Sequence, residues 1–132
     1  MSENGETIII DTKTGGAKGQ KPERFDLIPM AALEEVARVY GMGAKKYDDY
    51  NWLKGYKWSL SFGAMLRHIS LWMMGQSTDK ESGLHHLAHA AWHCLTLMSF
   101  ELYQLGSDDR INRVLEKIRR DQDKQVREAV PK

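Results

Sequence analysis

The sequence predicts an all-α fold, an antiparallel four-helix-type bundle with a short extended N-terminal arm, and three observations carry that prediction. Two long segments, Ser59–Gly75 and Gly83–Phe100, are apolar nearly all the way round, the pattern of helices buried on every side. Two others, Met30–Tyr40 and the stretch after Ser107, repeat apolar residues at helical spacing. A single short run, Thr7–Asp11, is β-prone. Two central helices of this kind imply more core than one small bundle supplies, so a homodimer or homotetramer is expected.

The totals bound the class. At 132 residues the chain is long enough for one core. Its 19 Lys and Arg nearly balance 18 Asp and Glu, which leaves no field calling for a nucleic-acid polymer or an acidic membrane. The one cysteine, Cys94, excludes a disulfide framework and points to a reducing cytoplasm; it reads as a small buried hydrophobe. No apolar run is long enough for a membrane span, and the N-terminus lacks a signal-peptide core.

Three regions follow. Residues 1–20 read as a flexible arm: a short strand, then a TKTGGAKGQ loop whose Gly-Lys string lacks the ending of a phosphate loop. Residues 21–106 are the helical domain. Within it KPERFDLIP is an ordered extended segment, and Pro29 suits the start of a helix. That helix places Leu33, Val36, Ala37 and Tyr40 on one face, lets Glu34 pair with Arg38, and ends or loosens at Gly41 and Gly43, with AKKY offering a further turn. Asp48–Lys57 is turn-rich, Gly75 caps the second helix, and GQSTDKESG leads to an antiparallel neighbour. Residues 107–132 form a charged helix, capped by Ser107 with the stripe Ile111, Val114, Leu115 and Ile118, that frays from Asp121 onward.

Gly83–Phe100 carries four of the five histidines, His85, His86, His89 and His93. At helical pitch they fall within an arc of about 100° that continues into Leu97 and Phe100. The opposite side, Leu84, Leu87, Ala88, Ala91, Leu95 and Met98, is apolar too. His86, His89 and His93 project to one line, the geometry of helical metal sites. Imidazole suits Zn, Mn, Co, Ni or Fe(II) better than Mg. A buried imidazole is neutral, hydrogen-bonded, metal-bound or facing an anion, so structural bonding and an oligomer-interface cluster stand beside the metal or phosphate reading. On the preceding helix, Arg67 cannot shed its charge and, if buried, requires a carboxylate or a phosphate. An antiparallel arrangement brings His68 level with His89. Glu34, Glu35, Asp79 and Glu81 are the nearby carboxylates. Lys21, Arg24, Lys45, Lys46, Lys54 and Lys57, interleaved with Phe25, Tyr47, Trp52, Tyr56 and Trp58, suit a nucleotide-sized ligand, or ordinary packing.

Taken together, KPERFDLIPMAALEEVARVYGMGAKKYDDYNWLKGYKW, AMLRHISLWMMG and DKESGLHHLAHA closely resemble the phage dATP/dGTP diphosphohydrolase domain family. That family resembles the all-α, MazG-like nucleoside triphosphate pyrophosphohydrolases, whose EExxE and ExxD helices hold Mg or Mn. Here the EExxE place reads Arg67-His68-Ile69-Ser70-Leu71 and the ExxD place reads His86-Leu87-Ala88-His89. Histidines stand where those relatives carry acids. The resemblance implies hydrolysis of dGTP or dATP to the monophosphate and pyrophosphate, in phage purine metabolism within the host cytoplasm. It further implies His68, His86 and His89 as ligands of a divalent metal (Mn, Co, Zn or Mg) or of phosphate. Arg67 would stabilise phosphate charge, and Glu35, Asp79 or Glu81 would serve as auxiliary ligand or base. Lys21, Arg24, Lys45, Lys46, Asn51, Trp52 and Lys54 would contact the purine nucleotide. The rival expectation is a phage protein of the same fold that sequesters a nucleotide without cutting it.

Overall fold

The computed structural model describes residues 5–130. The chain divides into two units, one ending at Ala31 and one beginning at Ala32. In the first, β1 (Thr7–Ile10) pairs antiparallel with β2 (Ala17–Gln20), Thr7 opposite Gln20 and Ile10 opposite Ala17. The expected TKTGGAKGQ loop is therefore half strand. Asp11 makes the reversal: its carboxylate accepts from the amides of Lys13 (2.8 Å) and Thr14 (3.0 Å), and Gly15 takes the positive φ of 77°. A hairpin is cheap to form from such a turn, and nothing in the loop's polarity forbade it. A single 3-10 turn, Phe25–Leu27, interrupts the segment expected to be extended.

Four helices follow: α1 (Met30–Lys46), α2 (Trp58–Met73), α3 (His86–Tyr103) and α4 (Ile111–Ala129). The mostly helical class stands, with the small hairpin added. Helix α1 runs through Gly41 and Gly43 and takes in the further turn that AKKY offers, to Lys46. Ala44, Lys45 and Lys46 are good helix formers, and the two lysines lie favourably at the negative end of the helix dipole. Together these offset two glycines.

Helices α2 and α3 are antiparallel, as pairs along their length show. The Trp58 indole N–H donates to the Leu105 carbonyl (2.8 Å), the Cys94 thiol lies 3.3 Å from Met65 Sδ, and His68 meets His86. Gly75, with φ of 98°, ends α2 as expected. At the far end, Gly106 (φ 70°) packs against the backbone of Tyr56 and Gly55, while Tyr56 and Ser107 are joined by a hydrogen bond of 3.2 Å. Asp109 accepts from the Ser59 amide (2.9 Å) and caps the start of α2. These bonds fix Tyr56 and Ser61 against α3.

The core is small: Val36 and Val39 of α1 on Ala88 of α3, with Tyr40, Leu84, Ala91 and Trp92 packed on them. The inner arc of α3 behaves as expected, with His86, His89 and Phe100 buried. The outer sides do not. Phe62, Leu66, Ile69 and Met73 of α2 are exposed, as are Leu87, Leu95, Met98 and Leu102 of α3. One chain supplies too few helices to cover them. Cys94 is likewise exposed, not buried. Helix α4 starts after Arg110, so Ser107 is not its cap, and it stays helical to Ala129, past the expected fraying point. It contributes no buried residue. No described helix is long and apolar enough to cross a membrane.

Candidate functional site

The antiparallel α2–α3 pair brings together His68 from one helix and His86, His89 and His93 from the other. The His68 and His89 rings stack with centroids 4.4 Å apart and planes within 4°. Nδ1 of His68 lies 2.9 Å from Nδ1 of His86, so one ring donates and the other accepts. His86 is wholly buried and its Nε2 has no partner among the described residues. His85 stands apart as the N-cap of α3, its Nδ1 accepting from the Leu87 amide (3.0 Å). Burial pushes His68 down to about 4, aided by repulsion from His89, where that ring is protonated, and from Arg67. Burial likewise brings His93 to about 4. His89 is also lowered by burial, against the opposing pull of Asp79. All three are neutral at pH 7.

Asp79 and Ser82, in the connection before α3, complete the cluster. The Ser82 hydroxyl is 2.8 Å from Asp79 Oδ2 and 2.7 Å from His89 Nε2. A carboxylate only accepts, so Ser82 donates to Asp79. The Ser82 oxygen must then accept from His89, which places the His89 proton on Nε2. The Leu84 amide also donates to that oxygen (3.2 Å). His89 Nδ1 is left as a lone pair with no partner among the described residues. Burial would raise Asp79, but the Ser82 hydroxyl and the Glu81 and Ser82 amides outweigh it, so the carboxyl sits below its usual value.

Beside this cluster opens a cleft of about 710 Å³. Its walls are the C-terminal half of α1 (Val39 to Lys46), the following turn (Tyr47 to Trp52), Tyr56, Leu60 and Ser61, with His89, Trp92 and His93 from α3. The volume suits a nucleotide-sized ligand, and the lining is largely aromatic and apolar with a few polar groups. Tyr40 and Trp92 lie against one another, ring centroids 5.8 Å apart.

The residues singled out in the sequence separate into groups. His68, His86, His89 and Asp79 come together; Lys46, Asn51 and Trp52 line the cleft. Arg67, weighed as a buried cation, is exposed, with no ion pair among the described residues, and close enough to His68, His89 and His93 to depress their basicity. Glu35 is held by Arg38, which also binds Glu34 (3.0 Å). Glu81 is exposed, as is Lys45. Lys54 stands 4.0 Å from Asp48. Lys21 and Arg24 belong to the first unit, where Lys21 pairs with Glu6 (3.1 Å) and Arg24 with Asp26 (2.8 Å). Ser82 was missed, although Asp-x-x-Ser before a helix is a recognisable turn signature. Tyr40, Ser61 and Trp92 were missed because only the fold brings them to the cleft.

The histidines do not converge on a metal. Among the described residues no three His, Cys, Asp or Glu side chains surround a common point. Nitrogens of His68 and His86 face each other, and His89 Nε2 faces Ser82. His86 Nε2 and His89 Nδ1 stay unpaired among the described residues but no third ligand joins them, so the divalent metal expected on these three residues does not fit the geometry shown.

The class is a mostly helical domain with a buried histidine cluster beside an aromatic-lined cleft. The family model for the N-terminal region of dATP/dGTP diphosphohydrolases matches residues 12–110, and the chain belongs to that family. It is 37% identical over 93 residues to a dATP/dGTP diphosphohydrolase of Salmonella phage PMBT28, covering 70% of this chain and 31% of the relative. The chain thus spans about a third of the relative's length. No solved structure matches.

Proposed function

We propose that this chain hydrolyses a purine deoxynucleoside triphosphate, dGTP or dATP, to the monophosphate and pyrophosphate. The observation that carries the reading is the unshared Nδ1 of His89, a residue that lines the cleft and is backed by Ser82 and Asp79. Asp79 and Ser82 hold the His89 ring in one tautomer, and Nδ1 takes a proton from water. The water oxygen bonds to the α-phosphorus while the bond to the bridging α–β oxygen breaks and pyrophosphate leaves. Asp79 then stabilises the imidazolium through Ser82. Arg67 and Lys46 offset phosphate charge, and the aromatic walls with Asn51 and Trp52 hold the base and sugar. Family membership and the phage relative's name support the substrate class.

The test is pyrophosphate release from dGTP, dATP and their ribo-forms, with chelator and with Mg, Mn, Co or Zn added. Release abolished by His89→Gln supports the reading; tight binding with no release under any condition overturns it. One observation favours a second reading, a nucleotide-sequestering protein. Among the described residues Asp79 is the one carboxylate hydrogen-bonded within the cluster, and Glu34 and Glu35 are tied to Arg38.

The exposed stripes of α2 and α3 support a homodimer or homotetramer as the working form. Sedimentation at micromolar concentration tests this, and a monomer there overturns it.

A further inference from the structure

His93 takes no part in the Asp79–Ser82–His89 chain, yet it too is held by a hydroxyl, one helical turn further along α3. Ser61, only 1% exposed, lies 2.9 Å from His93 Nδ1, and the Tyr56 hydroxyl is hydrogen-bonded to the same Ser61 oxygen. The direction of this relay follows from chemistry. A phenol is the better donor and an alkyl hydroxyl the better acceptor of the pair, while a neutral imidazole nitrogen accepts more strongly than a phenol oxygen. Tyr56 therefore donates to Ser61, and Ser61 donates to Nδ1 of His93. An imidazole that accepts at Nδ1 is neutral and carries its one proton on Nε2. That N–H has no partner among the described residues, and His93 lines the cleft together with Tyr56, Ser61, Trp92 and Tyr40.

We infer that the Tyr56–Ser61–His93 relay locks His93 as an Nε2–H donor that reads an acceptor on the edge of a purine, N7 or O6. This rests on the nucleotide reading of the cleft. A neutral donor set among aromatic rings suits a stacked base, whereas phosphate oxygens are better served by the cations Lys46 and Arg67. Tyr56 and Ser61 are positioning residues and His93 the reader. A donor fixed in place favours guanine, which offers two acceptors on this edge, over adenine, which offers N7 beside an amino donor.

Two measurements test it on the full chain. Long-range nitrogen–proton spectra of the labelled protein, assigned with His93→Gln, report the tautomer without any nucleotide. An Nε2–H ring that becomes a tautomer mixture in Ser61→Ala is expected; an Nδ1–H ring in the wild type, or one unchanged by Ser61→Ala, overturns the relay. Calorimetry then compares dGTP with 7-deaza-dGTP, which lacks N7, and with the 2-aminopurine analogue, which lacks O6. At least one analogue should bind about three- to tenfold more weakly to the wild type, a penalty that disappears in His93→Phe. Equal binding of all three overturns the base-reading role while leaving the nucleotide reading intact. Binding of none overturns both, and the tautomer result still stands or falls by itself.

Discussion

A single proton position decides what His89 can do. Because Asp79 can only accept, Ser82 must donate to it, and His89 is left with its basic nitrogen unshared. Removing any one of the three groups breaks that logic differently. His89→Gln should lower pyrophosphate release by about 100-fold or more while leaving nucleotide binding largely in place, measured by steady-state kinetics beside calorimetry. Ser82→Ala should fall between it and the wild type, since the ring keeps its base but loses its tautomer control. The histidines also make stability depend on pH in a stated direction. His68 and His93 titrate near 4 in the folded chain against 6.5 in their ordinary range. The unfolded state therefore binds more protons between those values, and stability is full above about pH 6.5 and is lost as pH falls towards 4. The loss is on the order of 2 kcal/mol for each ring, read as a falling denaturation midpoint in urea melts across that range.

At the scale of elements, two glycines of the same composition have opposite roles. Gly41 lies within α1 with open space where a Cβ would go. Gly41→Ala should stabilise the chain by about 0.5–1 kcal/mol, because alanine costs less backbone entropy in a helix. Gly106 has φ of 70°, and a Cβ there would sit 2.2 Å from the Tyr56 carbonyl oxygen. Gly106→Ala should destabilise by about 2 kcal/mol or more and shift Tyr56 away from Ser61. Thermal melts of the two variants check the pair, and equal shifts would show that the Gly106 contact does not hold the start of α2 in place.

For the whole chain, the exposed apolar stripes are the feature that local rules do not resolve. Phe62, Leu66, Ile69 and Met73 recur at helical spacing on α2, and Leu87, Leu95, Met98 and Leu102 on α3. Stripes of this size are covered in most soluble proteins. Placing a charge on one, as in Leu66→Glu, should convert an assembled species to a monomer in sedimentation while costing little in the monomer's own fold. A wild type that is already monomeric would leave the stripes without that partner.

The sequence by itself determined the helices, because apolar periodicity, Pro29 and Gly75 are local signals that survive in any context. It also determined the antiparallel α2–α3 pair and hence the meeting of His68 with His86 and His89, since a short polar connection permits little else. It left the end of α1 open between Gly41 and the AKKY turn and misjudged α4 at Asp121, since helix ends depend on small differences in propensity. Family membership was legible too, in strings that run through most of the chain. Only the tertiary structure decided the rest. Which histidine nitrogens face one another, that Ser82 stands between Asp79 and His89, and that Ser61 reaches His93 are matters of a few tenths of an ångström across elements distant in sequence. Residue type and spacing put imidazoles on one face; the direction of each hydrogen bond, which sets their chemistry, exists only once the neighbours are packed.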